Sequence, residues 1–156
     1  MGKEQKNQLN IKNRKANFEY EILDKYTAGI QLTGSEIKSI RAGEVNLKEA
    51  YCFFRRDELY IKNMHIAEYS HGGIFNHEPL RLRKLLLTKK ELKKLQEKKK
   101  KDKSLTIVAL RLFLSQRGFA KLNIALAKGK KLHDKRHSIK ERESKKELQR
   151  ALKYKR

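Results

Sequence analysis

The chain is short of acid, of cysteine and of long apolar runs, and each shortage narrows the function. Its 156 residues carry 18 Asp and Glu against 40 Lys and Arg, a formal net charge of +22 at pH 7. Such a charge repels itself unless a polyanion neutralises it. Nucleic acid is the partner this composition points to. A membrane surface is a second polyanion, but no segment is basic on one face and rich in Phe and Leu on the other, and charge that serves solubility alone is the bland alternative. The only cysteine, Cys52, lies in an apolar run. It can form no intramolecular disulfide and is expected to be a buried small residue. No run approaches the ~18 apolar residues of a membrane span. Lys3, Lys6 and Lys12 are followed by no apolar stretch of the signal-peptide kind. A cytoplasmic, monomeric chain with no membrane partner is therefore expected.

Signatures of catalysis are missing as well. There is no G-x-G-x-x-G, no P-loop and no nucleophile elbow. Asp57-Glu58 and the alternating Glu19 and Glu21 read as turn and solvent-face carboxylates, not as the converging set of a two-metal nuclease. His133 and His137 are four apart, but only Asp134 and Glu141 stand nearby and the surrounding cations repel a metal. The expectation is no enzyme, no metal and no cofactor. The classes left in competition are a non-catalytic RNA-binding module, a small nuclease or RNA-modifying enzyme, and a structural ribosomal component.

The apolar fraction of 38% lies below the globular average of about 45–50%. A compact core flanked by solvated polar segments follows. Residues 1–16 are polar and basic and are expected to be mobile until they meet a partner. Phe18, Tyr20 and Ile22 then alternate with polar neighbours, and Ile30 and Leu32 resume the pattern after Ala28-Gly29. This predicts two paired strands, or one strand bent at the glycine.

Thr33 with Glu36 and Thr88 with Glu91 are two capping boxes, opening helices that run to about Gly43 and about Lys101. Leu47 to Phe54 and Glu58 to Ile66 read as strands joined at Arg55-Arg56-Asp57, with Tyr51, Phe53, Leu59 and Ile61 inward. Ser70 to Pro79, with the only proline, reads as an irregular loop.

Leu105 to Ser115 and Phe119 to Lys128 are the strongest strands, turning at Gln116-Arg117-Gly118. Val108, Leu110, Leu112 and Leu114 face one way. Leu122, Ile124 and Leu126 face the core and leave Lys121, Asn123 and Lys128 outside, where an RNA backbone fits. From residue 129 apolar residues thin out. The tail, 129–156, is expected to be disordered when free and helical when bound.

These elements predict a mainly β fold: an antiparallel, oligonucleotide-binding-like β-barrel over 17–128. Two or three short helices flank it and a basic C-terminal tail follows.

Four ordered motifs carry a resemblance: N-R-K-A-x-x-E-Y (Asn13 to Tyr20), A-G-I-x-L-x-G-x-E-I-K-S-I-R-A-G (Ala28 to Gly43), R-x-R-K-L-L-L (Arg81 to Leu87) and A-K-G-K-K-x-H-D-K-R (Ala127 to Arg136). With them the chain resembles the SmpB family, the SsrA-binding proteins of bacterial trans-translation. The resemblance implies binding to the tRNA-like domain of transfer-messenger RNA (tmRNA), support of its alanylation, and its delivery to stalled ribosomes. Alanyl-tRNA synthetase and elongation factor Tu with GTP would act on the same RNA. The tail would enter the small-subunit decoding centre and the empty mRNA channel, standing in for a codon–anticodon pair. The remaining alternative is another structured-RNA-binding or ribosome-associated basic protein without a catalytic site.

Carried onto this chain, the resemblance implies RNA-binding roles for Lys121 and Leu86, the latter of which the sequence alone equally allows in the core; Asn13, Arg14, Lys15 and the outward Asn123 and Lys128 complete the expected RNA-binding set. It implies ribosome-facing roles for Lys130, Lys131, His133, Asp134, Lys135, Arg136, Lys140 and Arg142. Two positions depart from the family pattern. Thr27 stands where a glutamate is usual, and Ser144 where many relatives have tryptophan.

Overall fold

The two most strongly alternating segments form the centre of the sheet: strand β8 (Leu105–Leu114) and strand β9 (Ala120–Gly129), paired antiparallel along their length. The turn between them closes at Gly118, whose φ of +84° lies in the left-handed region that glycine adopts without strain. The computed structural model describes residues 9–130 and the backbone of 132–154, with side chains from 139 to 151.

The remaining elements in chain order are β1 (Asn10–Lys12), α1 (Arg14–Glu19), β2 (Tyr20–Ile30), α2 (Gly34–Arg41), β3 (Val45–Asn46), β4 (Tyr51–Arg55), β5 (Glu58–Lys62), β6 (His65–Ile66), β7 (Arg83–Leu86), α3 (Lys89–Lys101) and, after β9, α4 (Leu132–Tyr154). Strands run in the order β1-β8-β4-β5-β7-β2-β9, and the extra β8–β9 pairing closes the ring. The predicted antiparallel barrel with short flanking helices is what forms.

Both capping boxes are present: the Thr33 and Thr88 side chains accept from the N–H groups of Glu36 and Glu91, whose carboxylates accept from the cap N–H groups in return. Arg56 and Asp57, with φ of +50° and +65°, make the two-residue hairpin turn between β4 and β5. Cys52 is buried, and burial pushes its thiol well above the usual range. Leu59, Ile61, Ile107, Leu112, Leu122 and Ile124 fill the barrel interior.

Several expectations change. β1 pairs with β8 and Leu9 packs against the core, so residues 9–16 of the expected mobile segment belong to the folded body, and 1–8 lie outside the described residues. Phe18 belongs to α1, and β2 is one unbroken strand from Tyr20. Its irregularity against β9 lies between Ile22 and Asp24, not at Gly29.

On β4 the inward residues are Cys52 and Phe54, not Tyr51 and Phe53. Those two rings instead form an outer row with Tyr60 of β5, at centroid distances of 6.4 and 6.2 Å. On β8 a register shift between Ala109 and Arg111 reverses the phase. Leu105, Ile107 and Ala109, then Leu112 and Leu114, face the core. Val108 and Leu110 pack outside, under α1.

One polar cluster is buried in this frame. Glu36 and Arg83 are both fully buried and paired through the Arg83 Nε. Arg83 also donates to the Met64 carbonyl at 2.6 Å and to the Pro79 carbonyl at 3.2 Å. Arg81 reaches the same carboxylate at 2.6 Å. The cluster clamps α2 and the loop before β7 onto the barrel, which fixes where β7 lies. His77 braces the same loop between Ser35 Oγ and the Ile66 carbonyl, each at 2.9 Å.

Candidate nucleic-acid interface

Beyond its bulge, β2 turns Tyr26, Ala28 and Ile30 into the core and leaves Lys25, Thr27 and Gly29 outside. On β9 the outward set is Lys121, Asn123, Ala125 and Ala127. The two alanines are covered by α1, because Ala16, Val108, Ala125 and Ala127 are small enough to let the helix lie close. The outer face of β9 is thus divided: one half lies under α1 and the half carrying Lys121 and Asn123 is open.

Strand register assembles this open half into rows. Gly29 of β2 is flanked by Leu86 on β7 and Lys121 on β9. Lys121 in turn faces Phe113 on β8, and Phe113 faces Asn10 on β1. The neighbouring row reads Thr27, Asn123, Arg111 and Lys12. At roughly 4.8 Å per strand, the first row spans about 19 Å. Neither row contains an acidic residue. Thr27 Oγ1 donates to Asn123 Oδ1 at 3.0 Å, which fixes the amide orientation so that its NH₂ points away from the pair. A shallow depression of about 390 Å³ opens beside them, lined by Lys25, Tyr26, Thr27, Glu91 and Asn123.

The expected site residues divide accordingly. Lys121, Asn123 and Leu86 come together. Leu86 is 46% exposed, so it belongs to the outer face and not to the core. Lys128 does not join them. It is exposed, but it lies seven residues along β9 from Lys121, opposite Glu21 and Leu105, and on the alternation that carries Leu122, Ile124 and Leu126. Asn13 is buried, its Nδ2 donating to the Ala109 carbonyl at 2.8 Å, so it ties α1 to β8. Arg14 is exposed, and Lys15 is paired with Glu49 at 2.7 Å and Glu19 at 3.6 Å.

Lys130 is anchored to the carbonyl end of α1: its N–H donates to the Glu19 carbonyl at 2.8 Å and its Nζ to that of Asn17 at 3.1 Å. Lys140 and Arg142 are exposed on α4, with the Arg142 guanidinium 5.9 Å from the Phe18 ring centre. Lys131 lies outside the described residues, as do the side chains of His133, Asp134, Lys135 and Arg136, whose backbone belongs to α4.

Gly29, Arg111 and Phe113 were not among the expected site residues, and Thr27 was noted only as a departure from the family pattern. A glycine inside a strand, the mark of a close approach, was the available signal for Gly29. The bulge on β8 hid Arg111 and Phe113, since simple alternation from Val108 assigns the wrong residues to each face.

Among the described residues no group of three His, Cys, Asp or Glu side chains is placed to hold a metal ion. No helix there is long and apolar enough to cross a membrane.

The SmpB protein family model matches residues 10–154. The SsrA-binding protein of Christiangramia forsetii is 60% identical over 148 residues, 95% of this chain and 94% of its own length. That of Cytophaga hutchinsonii is 59% identical over 142 residues, 91% of this chain and 92% of its own. A solved structure described as "tmRNA-SmpB: a journey to the center of the bacterial ribosome" contains a chain that is 43% identical and superposes with a TM-score of 0.68, covering 84% of this chain and 94% of that one. The four motifs, the closed barrel and these relatives agree, and the chain belongs to the SmpB family.

Proposed function

We propose that the chain binds the tRNA-like domain of tmRNA through the outer face of β7, β2 and β9, and carries that RNA to stalled ribosomes for trans-translation. The observation that carries this reading is the row Leu86–Gly29–Lys121. Gly29, half-buried, puts no side chain of its own between an exposed apolar side chain and a cation. An RNA sugar–phosphate chain can approach closely there, with the apolar contact against sugar or base and the ammonium on phosphate. The relatives named for binding SsrA RNA, and the chain solved with tmRNA, support the same partner.

In this reading the protein is a cytoplasmic monomer without catalytic residues. It supports alanylation of tmRNA and travels with it when elongation factor Tu and GTP deliver it. The tail beyond Gly129, with Lys130, Lys131, His133, Asp134, Lys135, Arg136, Lys140 and Arg142, enters the decoding centre and the mRNA channel and stands in for codon–anticodon pairing. The tail is helical from Leu132 to Tyr154, and a basic helix that can enter only where mRNA is absent tests whether the channel is empty, its cations meeting ribosomal phosphates.

The test is a gel shift comparing tmRNA, elongator tRNA and duplex RNA at matched salt. Strong preference for tmRNA is expected. Equal affinity for all three contradicts the reading.

A further inference from the structure

Arg111 and Phe113 stand two residues apart on the outward side of β8, in the half of the barrel face that α1 leaves open. The Arg111 guanidinium carbon lies 4.4 Å from the centre of the Phe113 ring. Stacking of this kind holds a guanidinium in a defined plane while its edge remains available for hydrogen bonding.

The surroundings leave that edge without an anion. Across β9, Arg111 faces Asn123 and Phe113 faces Lys121. Across β1, Arg111 faces Lys12 and Phe113 faces Asn10. Among the described residues no carboxylate pairs with Arg111, and its buried Nε has no hydrogen-bond acceptor. This is a partly desolvated cation flanked by further cations and neutral amides. Lys84, on β7 of the same outer surface, is by contrast neutralised by Glu58 at 3.0 Å.

A planar guanidinium with no carboxylate partner, set between Lys12 and Asn123 with Lys121 one row away, matches the oxygens of a phosphodiester through its terminal nitrogens. We propose that Arg111, held against Phe113, grips a backbone phosphate of the bound RNA, and that the interface runs on across β8 to Lys12 and Asn10 of β1. This rests on the reading of the Leu86–Gly29–Lys121 row as the RNA face and lengthens that face by two strands. Lys121 then stands near the middle of the footprint, not at its edge.

The experiment uses the full chain with a transcript of the tRNA-like domain as probe, titrated at several salt concentrations. Arg111→Ala is expected to weaken binding about tenfold and to flatten the salt dependence by about one phosphate contact, a slope change of roughly 0.7–0.9. Arg111→Lys keeps the charge and most of the packing. It is expected to retain the slope but still bind several-fold more weakly, because an ammonium has no fork; it decides the matter if Arg111→Ala does not fold. Wild-type affinity and slope in Arg111→Ala, or wild-type affinity in Arg111→Lys, overturns the proposal. Lys121→Ala runs alongside. If Lys121→Ala binds weakly while Arg111→Ala binds as wild type, the extension alone fails. If both bind as wild type, the reading of the whole face fails with it.

Discussion

Leu86 and Lys121 flank a residue that has no side chain. A Cβ placed on Gly29 would lie 3.4 Å from Leu86 Cβ and 3.8 Å from Lys121 Nζ. Both are ordinary contact distances, so a methyl group fits without strain while anything larger fills the space an RNA backbone would enter.

Gly29 therefore separates stability from binding. Gly29→Ala is expected to leave the melting temperature unchanged or slightly raised, since the unfolded chain loses freedom. Gly29→Phe should keep the fold but lower affinity for the tRNA-like domain by about tenfold or more, an effect of order 1–3 kcal/mol. Thermal melts and RNA titrations on the two variants check this. Unimpaired binding by Gly29→Phe would place the RNA elsewhere.

Leu86 is half exposed, so Leu86→Ala should cost well under the roughly 2–5 kcal/mol of a core leucine truncation. Its effect should appear in RNA affinity instead. A denaturant melt paired with an RNA titration separates the two. A large stability loss with unchanged affinity would mean Leu86 serves packing.

Glu36 gives a prediction about acid. Burial alone would raise its carboxyl from the ordinary 4.5, but hydrogen bonds from Arg81, from the Thr33 N–H and from Arg83 outweigh burial and hold it at about 2. The unfolded chain thus takes up the proton first. The contribution, roughly 3 kcal/mol, is fully present above about pH 4.5 and is lost as pH falls towards 2. At neutral pH Glu36→Gln should destabilise by about 3–5 kcal/mol, because Arg83 stays buried without its partner. Urea unfolding of both proteins at neutral pH and near pH 3 should show the gap narrowing in acid. A constant gap would rule out the carboxylate as its source.

What was legible in the sequence was what is local. Thr33 with Glu36, Thr88 with Glu91, and the turn read at Arg55-Arg56-Asp57 are each decided within a few residues; both boxes form as read, and the turn closes at Arg56-Asp57 with Arg55 still in the strand. Two readings failed where alternation carries no information. Tyr51-Cys52-Phe53-Phe54 is apolar on both faces, so nothing along the strand says which face is inside. On β8 one irregularity between Ala109 and Arg111 inverts every assignment upstream of it. Glu36 was legible as a cap and illegible as a buried ion-pair partner, because Arg83 is distant in sequence and meets it only once the barrel closes. The same holds for the interface. Lys121 was visible as an outward cation, whereas its neighbours Gly29, Leu86 and Phe113 are supplied by three other strands.

The tail should be separable from RNA binding. Ala127 is the last residue that packs into either apolar cluster among the described residues. A chain ending at Gly129 should melt within a few degrees of the full protein and keep most of its affinity for tmRNA, while tagging of stalled peptides is abolished in a reconstituted translation system. Collapse of RNA binding on truncation would contradict the division.

The central claim, that a specific face and not the net charge binds the RNA, is tested most directly by two charge reversals of equal size. Lys121→Glu lies in the proposed interface, and Lys100→Glu lies exposed on α3. Each changes the net charge by the same amount. In titrations of the tRNA-like domain at fixed salt, Lys121→Glu should lose about tenfold to a hundredfold in affinity and Lys100→Glu only a small fraction of that. Equal losses for the two variants would mean that the basic surface as a whole, and not the Leu86–Gly29–Lys121 row, holds the RNA.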